Sequence, residues 1–195
     1  MSKALARRLG ARGSGAAQAG GVLSPRNRVL SPRNGAGAPP VRVADALAWR
    51  ARTDFYVGGN MFLYFSEIQS RKNDFRGPDV FVVTNTTRRE RRAWVVWEED
   101  GKGPDVVIEL LSATTEKVDR GDKMRIYARL LKVGEYFLFD PFSGVFEGYE
   151  LDVLHAGYVA KKPDARGRLR CEQLGLYLAK VRGTHYAVEA DWLRW

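Results

Sequence analysis

The chain has 195 residues, 45% of them hydrophobic and 28% charged, which suits one globular domain with a substantial core. No apolar run approaches the ~20 residues needed to cross a bilayer, so no membrane partner is expected. The lone cysteine, Cys171, excludes an internal disulfide, and His155 and His185 lie too far apart for a zinc site of ordinary spacing; a reducing, cytoplasmic setting fits. The formal charge of +9 is unevenly spread: residues 1–48 carry eight basic side chains against the single acid Asp45, a net of +7 that leaves +2 for the rest. The high pI therefore describes the N-terminal segment, and charge alone does not make the remainder a nucleic-acid binder.

Residues 1–40 contain no aromatic residue, are rich in Gly, Ala, Arg, Ser and Pro, and repeat VLSPRN at Val22–Asn27 and Val29–Asn34. Such a composition buries too little apolar surface to offset chain entropy, so this segment is expected to be a disordered basic tail. A single domain is expected over 41–195, where Trp49, Phe55, Tyr56, Phe62, Tyr64 and Phe65 appear. Asp79 to Thr84 (DVFVVT) is β-branched and follows Gly77-Pro78, which predicts a strand. Ala93 to Glu99 and Asp105 to Leu111 predict two more, and the Asp100-Gly101 turn signal between them predicts a hairpin. The period then becomes helical: Lys123, Ile126, Tyr127 and Leu130 share a face, giving a helix over roughly Asp119 to Leu131 with Asp119 as its N-cap. EYFLFD and VFEGYEL predict a strand, turn and strand, and LGLYLAKV and THYAVEA a last hairpin about Arg182-Gly183. These elements describe an α/β fold with one mixed sheet and an extra C-terminal hairpin.

Glu109 is the most informative residue. It lies in VVIELL, a run apolar enough to be covered on both faces, where an isolated carboxylate must take a proton, pair with a base or bind a cation. Alternation places Asp105, Val107, Glu109 and Leu111 on one face and Val106, Ile108 and Leu110 on the other. Two compensating groups present themselves. Lys123 sits on the otherwise apolar helix stripe and could face Glu109, and Asp79 on a neighbouring strand could share a hard divalent ion, Mg²⁺ or Mn²⁺, with it. Asp, Glu and Lys around one metal form an arrangement that cleaves phosphodiesters. A structural Glu109–Lys123 ion pair is the alternative. Glu67 and Asp105 are further candidate carboxylates, and Arg88, Arg89, Arg91 and Arg92 are weaker candidates for gripping phosphate. Gly58-Gly59 is too weak a signal for a phosphate loop.

From Asp54 the ordered motifs DFYVGGNMFLYFSEIQ, NDFRGPDVFVV, AWVVWEEDGKGPDVVIELLSATT, VDRGDKMRIYARL and EYFLFDPFSG resemble the Uma family of restriction endonucleases, grouped with the PD-(D/E)XK nuclease superfamily. The resemblance implies a restriction-endonuclease-like core, a mixed central sheet flanked by helices, with one helix before a three-stranded meander and another after it. It implies Asp79 and Glu109 as metal ligands, and Lys123 as the catalytic lysine migrated from the position two after the glutamate, occupied here by Leu111. It also implies a metal-dependent endonuclease acting on nucleic acid, expected to be DNA, with a homodimer as a common state of the superfamily. The departure at Leu111 keeps a second expectation open: a non-catalytic nucleic-acid-binding or regulatory module on the same scaffold.

Overall fold

The computed structural model describes residues 52–66, 75–185 and 188–195; the expected tail, the segment before Arg52, Glu67 and the His185 side chain lie outside the described residues. A six-stranded mixed sheet runs through the molecule. Its strands are β1 (Phe55–Gly59), β4 (Val80–Thr84), β6 (Val106–Leu110), β7 (Glu135–Phe139), β8 (Phe146–Asp152) and β9 (Gly157–Ala160), in the spatial order β1-β4-β6-β7-β8-β9. β1, β4 and β6 form an antiparallel meander. β7 then returns parallel to β6 through a helical crossover made of α1 (Glu116–Val118), a π-helical turn (Asp119–Lys123) and α2 (Met124–Arg129). A parallel neighbour requires such a crossover, and the shift from alternating to helical apolar spacing after Ser112 supplies it.

Alternation along the central strands divides the core into two layers. Val80, Val82, Val106, Ile108, Phe137 and Phe139 face a C-terminal sheet of β10 (Leu169–Cys171), β11 (Leu176–His185) and β12 (Val188–Arg194). Phe81, Val83, Val107, Tyr136 and Leu138 face Tyr127 and Leu131 of the crossover and the small sheet formed by β2 (Leu63–Tyr64), β3 (Phe75–Arg76) and β5 (Trp94–Val95). Among the described residues, one helical segment therefore covers one face and β-strands cover the other.

Three local expectations are corrected. The strand over Ala93 to Glu99 is only two residues long, and it pairs in parallel with β2 rather than with Asp105 to Leu111. β6 already has β4 on one side and β7 on the other, so no edge is free for β5. The Asp100-Gly101 turn does form, with φ of 55° and 77°, but it closes a short 3-10 turn over Val96–Glu98 through the Gly101 N–H and the Val96 carbonyl. The helix begins near Glu116, and Asp119 lies inside it, buried, rather than capping it. In the last hairpin Arg182-Gly183 is not the turn but continues β11, with Gly183 opposite Ala190 and His185 opposite Val188.

Gly58 has a packing reason to be glycine. It pairs with Phe81 on β4, and a Cβ at Gly58 would overlap that buried ring. Gly58→Ala is expected to cost about 1–3 kcal/mol by overpacking; a urea midpoint equal to wild type would contradict this.

Candidate active site

The β4–β6 register pairs Val80 with Ile108, which brings Asp79, at the mouth of β4, beside Glu109 and Leu110 near the end of β6. The two acids are tied through the backbone: the Leu110 N–H donates to Asp79 Oδ2 at 2.8 Å, and the Asp79 N–H donates to Glu109 Oε2 at 3.2 Å. Glu109 shares its face with Val107 and Leu111, so it points under the crossover helix. There the Tyr127 hydroxyl donates to Oε1 at 2.9 Å and Lys123 Nζ lies 3.0 Å from the same oxygen. Lys123 also pairs with Asp119 Oδ1 at 2.8 Å, one helical turn earlier. The Asp119 carbonyl accepts from the Tyr136 hydroxyl at 3.0 Å, anchoring the π-helical turn to β7. A π-helical turn is a costly local geometry, and here it carries both Asp119 and Lys123.

The electrostatics follow from burial and charge count. Glu109 is fully buried, and three carboxylates surround one ammonium. Loss of water pushes the Glu109 carboxyl up to about 8; Lys123 opposes this, and the charges of Asp79 and Asp119 add to it. Asp79 is likewise raised by burial, against the Leu110 N–H and Lys123. Burial works against the Lys123 charge, but Glu109 and Asp119 outweigh it and its pKa lies above the ordinary lysine value. Burial and the Glu109 charge hold the Tyr127 phenol protonated, which keeps it a hydrogen-bond donor. The cluster is short of positive charge.

The structure thus brings Asp79, Glu109 and Lys123 together. Leu111, two positions after Glu109, is buried in the apolar layer beside Tyr127. Asp105 lies at the opposite end of β6, where its Oδ2 accepts from the Thr84 N–H at 2.6 Å and the Thr84 hydroxyl at 2.8 Å. Arg91 is committed to structure: it forks onto Glu99 at 2.7 and 2.9 Å and lies 4.7 Å from the ring centres of both Tyr56 and Trp94. Arg89 joins it on Glu99 at 2.5 Å, while Arg88 and Arg92 are exposed. His155 is an exposed residue bound to Asp152 at 2.6 Å.

Asp119, Tyr127 and Tyr136 belong to the site although the sequence did not mark them as site residues. Their signal was present for two of them, since Asp119, Lys123 and Tyr127 recur every four residues on one helical face. A second buried polar centre was also missed. Glu135 accepts from Cys171 Sγ at 2.8 Å and from the N–H groups of Glu172 and Gln173 at 3.0 and 2.9 Å, and pairs with Lys161 at 2.7 Å. Burial and the Glu135 charge raise the Cys171 thiol, which makes it an inert core group.

Among the described residues no group of three or more His, Cys, Asp or Glu side chains converges to hold a metal. Asp79 and Glu109 nevertheless fit a hard divalent ion chemically, because Mg²⁺ takes oxygen donors and commonly uses one or two carboxylates, with water and substrate phosphate completing its shell.

A family described as Uma2, "Putative restriction endonuclease", matches residues 30–177 of the chain. Among solved structures, a "putative nuclease belonging to DUF820" from Anabaena variabilis ATCC 29413 is similar, with 15% sequence identity, a TM-score of 0.46 and coverage of 69% of each chain. No curated protein matches.

Proposed function

The chain belongs to the Uma2 family, described in the words "Putative restriction endonuclease", and from that premise we propose that it is a divalent-metal-dependent nuclease hydrolysing phosphodiester bonds of nucleic acid, DNA in the first instance. One observation carries the reading: two carboxylates at the same end of adjacent central strands, Asp79 and Glu109, are tied to each other with a lysine amine 3.0 Å from the buried one. In this reading Asp79 and Glu109 hold Mg²⁺ or Mn²⁺. The ion, when bound, supplies a Lewis acid for a phosphate oxygen and lowers the pKa of a water. Lys123 orients the attacking water or offsets developing negative charge, Asp119 holds Lys123 in place, and Tyr127 fixes the Glu109 carboxylate through Oε1.

Calorimetric titration with Mn²⁺ tests the reading without a choice of substrate. Uptake near one or two ions per chain is expected, lost in Asp79→Asn/Glu109→Gln. A folded wild type that takes up no Mn²⁺, alone or with a short phosphorothioate oligonucleotide to complete the shell, would overturn it. Proton linkage gives a second expectation. Because the Glu109 carboxyl is pushed up to about 8, it holds a proton near pH 7 that a metal must displace. Binding heats measured in two buffers of different ionisation enthalpy should therefore report release of about one proton per ion near pH 7, falling away above about pH 9. Heats independent of the buffer would contradict it.

A non-catalytic binding module on the same scaffold is the second reading. It is favoured by Glu109 having Tyr127, Lys123 and the Asp79 N–H as partners already, with Leu111 in the core. It predicts nucleic-acid binding without turnover; turnover that depends on Asp79 would eliminate it.

A further inference from the structure

Phe62, Tyr64 and Phe75 form an aromatic cluster that neither the core nor the acid site uses. Phe62 and Tyr64 flank Leu63 on β2, and Tyr64 stands opposite Phe75 on β3, so alternation puts the three rings on one face of the small sheet and Leu63 on the other. Leu63 is fully buried, whereas Phe62 is 52% exposed and Phe75 is 37% exposed. Phe62 and Phe75 meet edge to face at 5.2 Å, and Tyr64 lies 5.7 Å from Phe75 and 6.1 Å from Phe62. Water is a poor solvent for such a group, and an exposed apolar cluster of this kind marks a binding surface.

Its position says what would bind. Arg76 follows Phe75 and pairs with Leu63, on the side of the small sheet that faces the core, and its charge acts on the Tyr127 phenol that donates to Glu109. Gly77 and Pro78 then lead directly to Asp79. Phe75 stands four positions before Asp79, so their Cα atoms are at most about 14 Å apart. The exposed rings therefore lie within a short span of chain of Asp79, one of the two acids of the candidate site. Flat rings suit the π-face of a nucleobase, and the short span of chain to Asp79 lets the phosphate that follows reach the acid site. A base in the interior of a duplex has both faces covered by its neighbours, so away from the duplex ends only an unpaired base can offer one.

We propose that Phe62, Tyr64 and Phe75 are a stacking platform for an unpaired base of a nucleic-acid substrate, so that the protein prefers single-stranded or locally unpaired strands to duplex. The proposal rests on the nuclease reading above. The test uses a single-stranded DNA oligonucleotide carrying 2-aminopurine and the same sequence as a blunt duplex, titrated with Ca²⁺ in place of Mg²⁺. The expected result is tighter binding of the single strand, with 2-aminopurine emission quenched by stacking. Phe62→Ala/Phe75→Ala should weaken single-strand binding about tenfold or more and relieve the quenching. Phe62→Leu/Phe75→Leu, which keeps apolar bulk without a flat ring, should fail in the same way while retaining the wild-type melting temperature.

Equal affinity for the single strand and the duplex overturns the platform. So does a leucine variant that binds and quenches like wild type. Mn²⁺ uptake by the wild type separates the two failures: with uptake intact, either result removes the platform alone, and with no uptake and no oligonucleotide binding both readings fall.

Discussion

Glu109→Gln and Asp79→Asn, each made alone, are expected to lower Mg²⁺-dependent phosphodiester cleavage by about three orders of magnitude in a protein that remains folded. Both substitutions keep the shape of the site. Asparagine can still accept the Leu110 N–H, whereas glutamine has a single acceptor oxygen, which can keep the Tyr127 hydroxyl while its NH2 group turns toward the Asp79 N–H and loses that bond. What they remove is negative charge, which a hard cation needs and a hydrogen bond does not. With both acids holding one ion, as proposed, the double substitution should be little worse than either single one. Cleavage that survives both changes at the wild-type rate would show that another group does the chemistry. Cleavage lost together with cooperative melting would show a structural role instead.

Lys123→Met is expected to carry the largest stability penalty in the site, about 3–5 kcal/mol, because it leaves buried carboxylates without their cation. The sign of its pH dependence follows from Glu109. A carboxyl whose folded pKa is raised binds its proton more tightly in the folded state, so its stabilising contribution is complete below the unfolded value of 4.5 and is lost as pH rises through about 8. Without Lys123 the ionised form is still less favourable. The penalty relative to wild type should therefore be greatest above about pH 8 and shrink towards about pH 5. Chemical denaturation at both ends of that range measures it, and a penalty that grows on acidification would refute the argument. Adding Glu109→Gln to Lys123→Met should recover part of the loss, the remainder belonging to Asp119, whose Oδ1 also depends on Lys123.

The strands were legible where burial is two-sided. Val80–Thr84, Val106–Leu110 and Glu135–Phe139 are unbroken apolar runs with a single acid in two of them, and composition alone marks such runs. The approach of Lys123 to Glu109 was legible for a related reason: a lysine on an apolar helix stripe needs a buried acid, and a buried acid needs a cation. Pairing partners were not legible. Asp100-Gly101 carries the local signal of a hairpin, yet which strand lies beside β6 depends on β4 and β7, which are distant in sequence. Asp119 was read as a cap because aspartate favours that position locally; only the packing of Tyr136 and Lys123 around it gives it another role. Glu135 escaped notice although it opens an apolar run much as Glu109 sits within one. Its partners Lys161 and Cys171 come from β-strands and loops far along the chain.

The C-terminal sheet has a consequence for how the protein is made. Leu169, Cys171, Leu178 and Leu193 cover the face formed by Val80, Val82, Val106, Ile108, Phe137 and Phe139. A ribosome delivers the chain from its N-terminus at roughly 5–20 residues per second, so the central sheet is synthesised well before the strands that shield it. During that interval the described residues emerging first offer that apolar face no cover, which comes only with β10 to β12, ending at residue 194. Expression clones that stop at residue 177, where the family match ends, would leave that interval permanent and should yield inclusion bodies in place of a smaller folded protein.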